Sequence, residues 1–240
     1  MKRLFISDLH LEEPEDPIFK AFIALMRTEA AAVDEIYILG DLVEIWVGDD
    51  DDSLGAEQLR QTLSRASQQA QIFLVHGNRD FLFGDSFAST TGVTILPDPF
   101  FLDGHVLLSH GDQYCIDDTD YQQARALLRS EPFQRDLLQR TLAERQALGK
   151  DMRAQSMAAN ANKSAQIMDV NLEAIAHDMQ RLGADTLIHG HTHRPGFYPQ
   201  RGASTFMRIV LGDWQDCGWL CRQSDDHWSL ECFGLDHYGC

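Results

Sequence analysis

Seven residues in this chain have the types and spacings of a metal-binding cluster. His191 and His193 follow Gly190, which itself follows a short apolar run at 186–188 that reads as a buried strand. Two imidazoles two positions apart can reach one point where the chain is extended or tightly turned. Neutral imidazole is a common ligand for transition metals. The Gly-His-x-His fragment alone is a weak signal. Four further fragments supply ligand types, each after an apolar run: Asp8 with His10, Asp41 after Gly40, Asn78 after Gly77, and His110 before Gly111. Each has a plain reading as well, since a histidine can be a satisfied core residue, an asparagine can shape a turn and an aspartate can cap a helix. Taken together, seven nitrogen and oxygen donors suit two divalent ions if one carboxylate bridges them.

The elements that must position these donors can be read from periodicity. A strand at 3–7 leads into Asp8, and strand alternation puts Asp8 and His10 on the same side. A helix is expected at 18–33, with Phe19, Phe22, Ile23 and Met26 on its apolar face. A strand at 35–39 precedes Gly40, a helix is expected at 56–70, and a strand at 72–75 precedes His76 and Gly77. This alternation argues for βαβ units and a parallel sheet, where ligands gather beyond the carboxyl ends of the strands. Short runs at 93–96, 100–102 and 106–109, separated by Pro97, Pro99 and Gly104, read as an antiparallel meander that ends at His110. Residues 117–182 read as mostly helical. Ser130 is expected to cap a helix beginning at Pro132 and closed by Gly149, and a later helix spans about 169–183. Runs at 205–211, 219–222 and 228–233 are expected to form a second sheet layer. The acidic run 49–52 reads as a solvated loop, because four adjacent carboxylates cannot all face one ion.

The totals bound the function. With 240 residues, 44% of them hydrophobic, the chain fits one large domain or one domain with an insertion. No apolar stretch has the length of a spanning helix, and the N-terminus does not read as a signal peptide. The expectation is a cytosolic protein, with contact to a membrane surface left open. A net charge of −17 argues against broad nucleic-acid binding, which needs cations to neutralise phosphates. Residues 120–163 depart from that balance with eight Lys and Arg against five Asp and Glu. Such a stretch is either a solvated helical surface or a face that meets an anion or anionic lipid, and charge alone does not choose. Ser156, Asn160 and Lys163, spaced four and three apart, can share one helical face; from spacing alone that is an ordinary exposed face. Five cysteines, an odd number without a secretion signal, read as reduced packing residues.

In their order along nearly the whole chain, Asp8-x-His10, Gly40-Asp41, Gly77-Asn78, His110 and Gly190-His191-x-His193 resemble the calcineurin-like metallophosphoesterases. The resemblance implies a four-layer α/β/β/α sandwich of the α/β class, a single domain over 1–240 with a helical insertion at about 117–168, and a dinuclear site. By position, one metal takes Asp8, His10, Asp41 and His193, and the other takes Asp41, Asn78, His110 and His191. Two Mn2+ suit this mixed donor set, and iron, cobalt or zinc also fit it. Two departures narrow the family: Glu44 where an aspartate is usual, and Arg79 where a histidine is usual. With the runs at 48–50, 109–112, 191–195 and 211–214, these departures resemble the UDP-2,3-diacylglucosamine hydrolases of lipid A biosynthesis. That branch implies metal-activated water attack on the UMP-side phosphorus, releasing UMP and 2,3-diacylglucosamine 1-phosphate. It implies catalytic roles for Asp41, Asn78, Arg79 and His191, and substrate contacts from Asn78, Arg79, Asp118, Ser156, Asn160, Lys163 and His191. The insertion would take the acyl chains and meet the cytoplasmic face of the inner membrane peripherally. Neither nucleic acid nor an obligate protein partner is expected. Two alternatives are a metallophosphodiesterase for a soluble substrate such as a cyclic nucleotide, and a metal-holding scaffold without turnover. The complete ligand set counts against the scaffold.

Overall fold

The computed structural model describes residues 1–160, 163, 167–201 and 205–238, with the side chain of Asn160 outside that description. Five-residue strands β1 (Lys2–Ile6), β2 (Glu35–Leu39) and β3 (Gln71–Val75) alternate with helices α1 (Pro17–Glu29) and α2 (Leu54–Ala66). The three strands pair in parallel. Helix α1 stops short of the expected 33 because the chain must turn to bring β2 beside β1: Asp34 N donates to the Lys2 carbonyl and Lys2 N donates to Asp34 Oδ2. Helix α2 starts earlier than expected because the Ser53 side chain accepts from Ala56 N and caps it.

The expected meander is corrected. After α3 (Asp85–Thr91), strand β4 (Thr94–Leu96) pairs in parallel with β3, while only β5 (Phe100–Leu102) and β6 (Val106–Ser109) form an antiparallel pair. Strand β7 (Thr186–His189) joins β6 in parallel, and β9 (Phe206–Val210) joins β7. Strand β8 (Gly196–Gln200), not foreseen from the sequence, closes that edge antiparallel to β9. The late strands β10 (Cys217–Ser224) and β11 (His227–Gly234) return to the first sheet beside β1 instead of completing the second. The sheet orders are β11-β10-β1-β2-β3-β4 and β5-β6-β7-β9-β8.

Alternation along the strands builds the layers. Phe5, Tyr37, Leu39 and Val75 of the first sheet meet Val106, Leu108, Ile188 and Ile209 of the second in a buried core between the sheets. Leu4, Ile6, Ile36, Ile38 and Leu74 point the other way, onto Phe22, Leu25, Leu59 and Leu63 of α1 and α2. On the far face of the second sheet, Leu107, Leu187 and Phe206 pack with Ile175 and Met179 of α7 (Leu172–Leu182). The result is the α/β/β/α sandwich.

Between β6 and α7 lie α4 (Thr119–Leu128), α5 (Glu131–Leu138) and α6 (Leu142–Asn160). Gly149 does not close a helix, as expected, but sits inside α6, where a Cβ would stand 2.9 Å from Ile45 Cγ2. It is there for close approach. The acidic run is also more than a solvated loop. Asp49 accepts from Gly84 N and Phe87 N, Asp50 pairs with Arg145 of α6, and Asp51, 8% exposed, accepts from Ser53 N. Cys115 and Cys221 are buried packing residues as expected, whereas Cys217 is half-buried and Cys232 exposed; Cys240 lies outside the described residues.

Candidate metal centre

The sequence-predicted donors converge where the carboxyl ends of the parallel strands of both sheets meet. Asp8 follows β1, Asp41 follows β2, Asn78 follows β3, His110 directly follows β6, and His191 and His193 follow β7. Of the seven non-glycine residues with positive φ among the described residues, five belong to this set: Asp8, His10, Asp41, His191 and His193, at φ 51–63°. A non-glycine residue in the left-handed region costs on the order of 1–3 kcal/mol and persists where its surroundings fix it. Here each turn swings a donor off the end of a strand towards a common centre. Two of the turns touch: a Cβ on Gly40 would come within 2.6 Å of the Gly77 backbone and of His110 Nδ1, so only glycine lets the ends of β2 and β3 meet.

Asp8 is fully buried and accepts from Ser7 Oγ at 2.5 Å and from His191 N at 3.0 Å; its Oδ1 lies 3.4 Å from His193 Nε2. Asp41 Oδ1 accepts from Arg79 N at 2.9 Å and lies 3.7 Å from His110 Nε2. Asn78 Oδ1 lies 3.0 Å from both His110 Nε2 and His191 Nδ1. Two sets of three donors each gather within 4.8 Å, Asp8 with His10 and His193, and Asp8 with Asp41 and His110. Asp8 therefore stands in both sets, and Asn78 and His191 adjoin the second. The outer nitrogens are held too. His110 Nδ1 lies 2.9 Å from the Leu39 carbonyl, and His193 Nδ1 lies 3.3 Å from Asp213 Oδ2. A fixed outer nitrogen leaves the inner one directed at the centre.

The local field favours a cation. Burial alone would raise Asp8, but the hydrogen bond from His193 and the nearby His110 hold it well below the carboxylate range. Burial would lower the histidines, yet Asp41, Asp8 and Asp112 push His110 up to about 9, and Asp213 and Asp8 push His193 up to about 10. Buried His191, beside His110, falls to about 4. Protons drawn so strongly onto imidazoles mark a site where a divalent cation would compete for the same nitrogens. The donor chemistry and this field fit a transition metal.

A cavity of about 360 Å3 opens beside the centre, against Asn78 and Arg79. Asn78, Arg79 and Tyr121 line it next to the donors, and Trp46, Phe81, Leu128 and Met152 are among its apolar lining. Ser156 and Lys163 also line it. Asp118 is buried nearby, bridged by both oxygens to Lys163 Nζ at 2.6 and 2.8 Å, while it caps α4 through Tyr121 N. Asn160 ends α6, and its side chain lies outside the described residues.

Sequence reasoning did not assign roles to several residues that hold this site. Asp80 is fully buried and accepts from Leu42 N and Gly77 N, and burial with Asp41 nearby pushes it up to about 6. Asp112 accepts from Tyr121 Oη at 2.7 Å and Arg125 Nε at 2.8 Å, and the Tyr121 ring lies 5.9 Å from that of His191. Asp112 and Asp213 each stand just beyond an apolar run, the signal that marked the donors, but both hold partners instead.

A family model described as calcineurin-like phosphoesterase matches residues 1–195. The chain is 42% identical to a UDP-2,3-diacylglucosamine hydrolase of Xanthomonas oryzae pv. oryzae, over 98% of this chain and 100% of that one. It is 43% identical to one of Cellvibrio japonicus over 93% and 95%, and 41% identical to one of Salmonella typhi over 98% and 100%. The fold, the buried donor cluster and these relatives agree: the chain is a metal-dependent hydrolase that belongs to the calcineurin-like phosphoesterase family.

Proposed function

We propose that this chain hydrolyses the diphosphate of UDP-2,3-diacylglucosamine to UMP and 2,3-diacylglucosamine 1-phosphate, a step of lipid A biosynthesis. The observation that carries the reading is the junction of a polar cluster with an apolar cavity, with Arg79 between them. A diphosphate with two acyl chains on one side has that same division. The substrate is the one in the names of the relatives from Xanthomonas, Cellvibrio and Salmonella.

In this reading Asp8, His10, Asp41 and His193 hold one Mn2+, and Asp41, Asn78, His110 and His191 hold a second. Bound ions of this kind supply an activated water and neutralise phosphoryl charge. The chain's own residues do the rest. Arg79 is anchored through its N–H to Asp41 and through Nη1 to Glu44 at 3.2 Å, so its always-charged guanidinium is held ready for the developing phosphate charge. Asn78 and His191 orient the phosphate at the mouth of the cavity. Asp118, Ser156, Asn160 and Lys163 contact the sugar and its phosphate. Helices α4 to α6 belong to an insertion at about 117–168 on a single domain and cover the site. Its apolar lining takes the acyl chains.

No helix among the described residues is long and apolar enough to cross a membrane. Leu127, Leu138 and Met157 on this segment are 58%, 47% and 57% exposed, next to its surplus of cations. They support peripheral contact with lipid at the cytoplasmic face of the inner membrane. The test is release of UMP and the monophosphate from detergent-solubilised UDP-2,3-diacylglucosamine after chelation and return of manganese. Turnover that depends on manganese is expected. Failure on the lipid with a simple phosphodiester still cleaved would discard the substrate and leave the hydrolase.

A further inference from the structure

We propose that Glu44 is a positioning residue that couples His10 and Arg79 of the metal centre to helix α6 through Arg153. Its carboxylate stands among three cationic or imidazole groups from three parts of the chain. Glu44 Oε2 lies 3.2 Å from His10 Nδ1; Oε1 takes Arg79 Nη1 at 3.2 Å and also Arg153 Nε. Arg153 belongs to α6 and lines the apolar cavity. One side chain thus touches the donor cluster, the phosphate-facing arginine and the covering helix at once.

The histidine contact completes a pattern. His110 has its outer nitrogen on the Leu39 carbonyl, and His193 has its outer nitrogen on Asp213. Among the described residues His10 Nδ1 makes no in-line hydrogen bond, and Glu44 is the carboxylate within ion-pair reach. A ligand imidazole whose other nitrogen meets a carboxylate keeps its tautomer and ring orientation. The backbone fixes Glu44 for this task. Glu44 N donates to the Leu11 carbonyl, Trp46 N donates to the Arg79 carbonyl, and Leu11 and Val43 form a parallel bridge. The loops after β1, β2 and β3 are therefore laced together around this carboxylate. Two carboxylate oxygens have lone pairs enough for three donors, whereas the single amide oxygen of glutamine would have to release one.

The proposal rests on the reading of His10 as a metal ligand. It predicts that the cluster and the covering helix share one control point. Disturbing Glu44 changes metal affinity and substrate handling together, while disturbing Arg153 changes substrate handling alone.

The test is calorimetric titration of Mn2+ into the chelator-stripped full chain, with kcat and KM measured on UDP-2,3-diacylglucosamine. Glu44→Gln is expected to weaken Mn2+ binding by about 10–100-fold, the range for partners of metal ligands. Arg153→Gln is expected to keep Mn2+ affinity within about 2-fold and to raise KM by about 10-fold, by loss of a charge-assisted contact. The double variant should have a KM no higher than the larger single effect, because the two residues act through one contact. If Glu44→Gln does not fold, Glu44→Asp carries the test: it keeps the charge but draws it back one methylene from His10, and Mn2+ affinity should still fall. His10→Ala separates the two levels. Normal Mn2+ binding by His10→Ala would overturn the ligand assignment. A loss in His10→Ala beside wild-type affinity in Glu44→Gln would overturn this inference alone, as would equal losses of affinity in the Glu44 and Arg153 variants.

Discussion

At Asp41 one carboxylate faces several demands: it accepts from Arg79 N, lies near His110 and shares the donor cluster with Asp8. Asp41→Asn keeps its volume and removes its charge. Metal binding and hydrolysis should both fall, with turnover down by at least about 100-fold, the scale of losing one preorganised charge-stabilising group. Turnover near wild type with full metal content would remove Asp41 from the centre. Arg79 gives a second prediction. Arg79→Lys should recover little of what Arg79→Ala loses, because the guanidinium faces Glu44 through Nη1 at 3.2 Å and Asp41 through Nε at 3.7 Å at once, and a point charge cannot hold the same geometry. A lysine variant with wild-type kcat/KM would reduce the role of Arg79 to charge alone. At this scale the donors were legible, because each stands directly beyond an apolar run. Their partners were not. Asp213 meets His193 from twenty residues away and Glu44 meets Arg153 from 109 away, and nothing local marks such pairings.

Whole elements were legible where periodicity alone defines them and illegible where pairing does. Strands β10 and β11 alternate as expected, but alternation is the same on either sheet; the antiparallel register of Lys2 with Ser224 and Phe5 with Cys221 is what places them beside β1. Likewise Pro97 and Pro99 mark a break in the chain without saying that β4 stays with β3. Gly149 shows the same limit in a helix: as a sequence symbol it is a stop, but in α6 it is the point where the helix seats on Ile45. Gly149→Val would wedge α6 outward, since even a Cβ there stands 2.9 Å from Ile45 Cγ2. Activity on the acylated substrate should fall several-fold more than activity on a small phosphodiester, measured as the ratio of kcat/KM values. An unchanged ratio would show that α6 does not govern access to the cavity.

The molecule as a whole depends on ties between layers, and one of these makes its stability sensitive to acid. The outer helix α1 ends in Glu29, whose carboxylate takes both Nη atoms of Arg222 on β10, at 2.7 and 2.8 Å. Glu29 is 6% exposed, and the Arg222 hydrogen bonds, against some burial, hold its pKa below the ordinary value of 4.5. In the unfolded chain Glu29 regains that ordinary value. Above it the carboxylate is ionised in both states, and the pair contributes in full. As the pH falls through 4.5 towards the lowered folded value, the unfolded chain takes up a proton that the folded chain resists, and the contribution drains away. The side chain of Arg222 is 30% exposed, so the contribution is on the order of 1 kcal/mol at neutral pH, below the usual range for bonds to buried charged groups and at the top of that for exposed ion pairs. Glu29→Gln should lower stability near neutrality by that amount and flatten the decline as the pH falls from about 5 into the acid range. Asp8 and Asp112, also held low, are present in both proteins, so the difference between the two unfolding curves isolates the Glu29 tie. Parallel curves across that range would mean that α1 is held to the sheet by its apolar face alone, through Phe22, Leu25 and Met26.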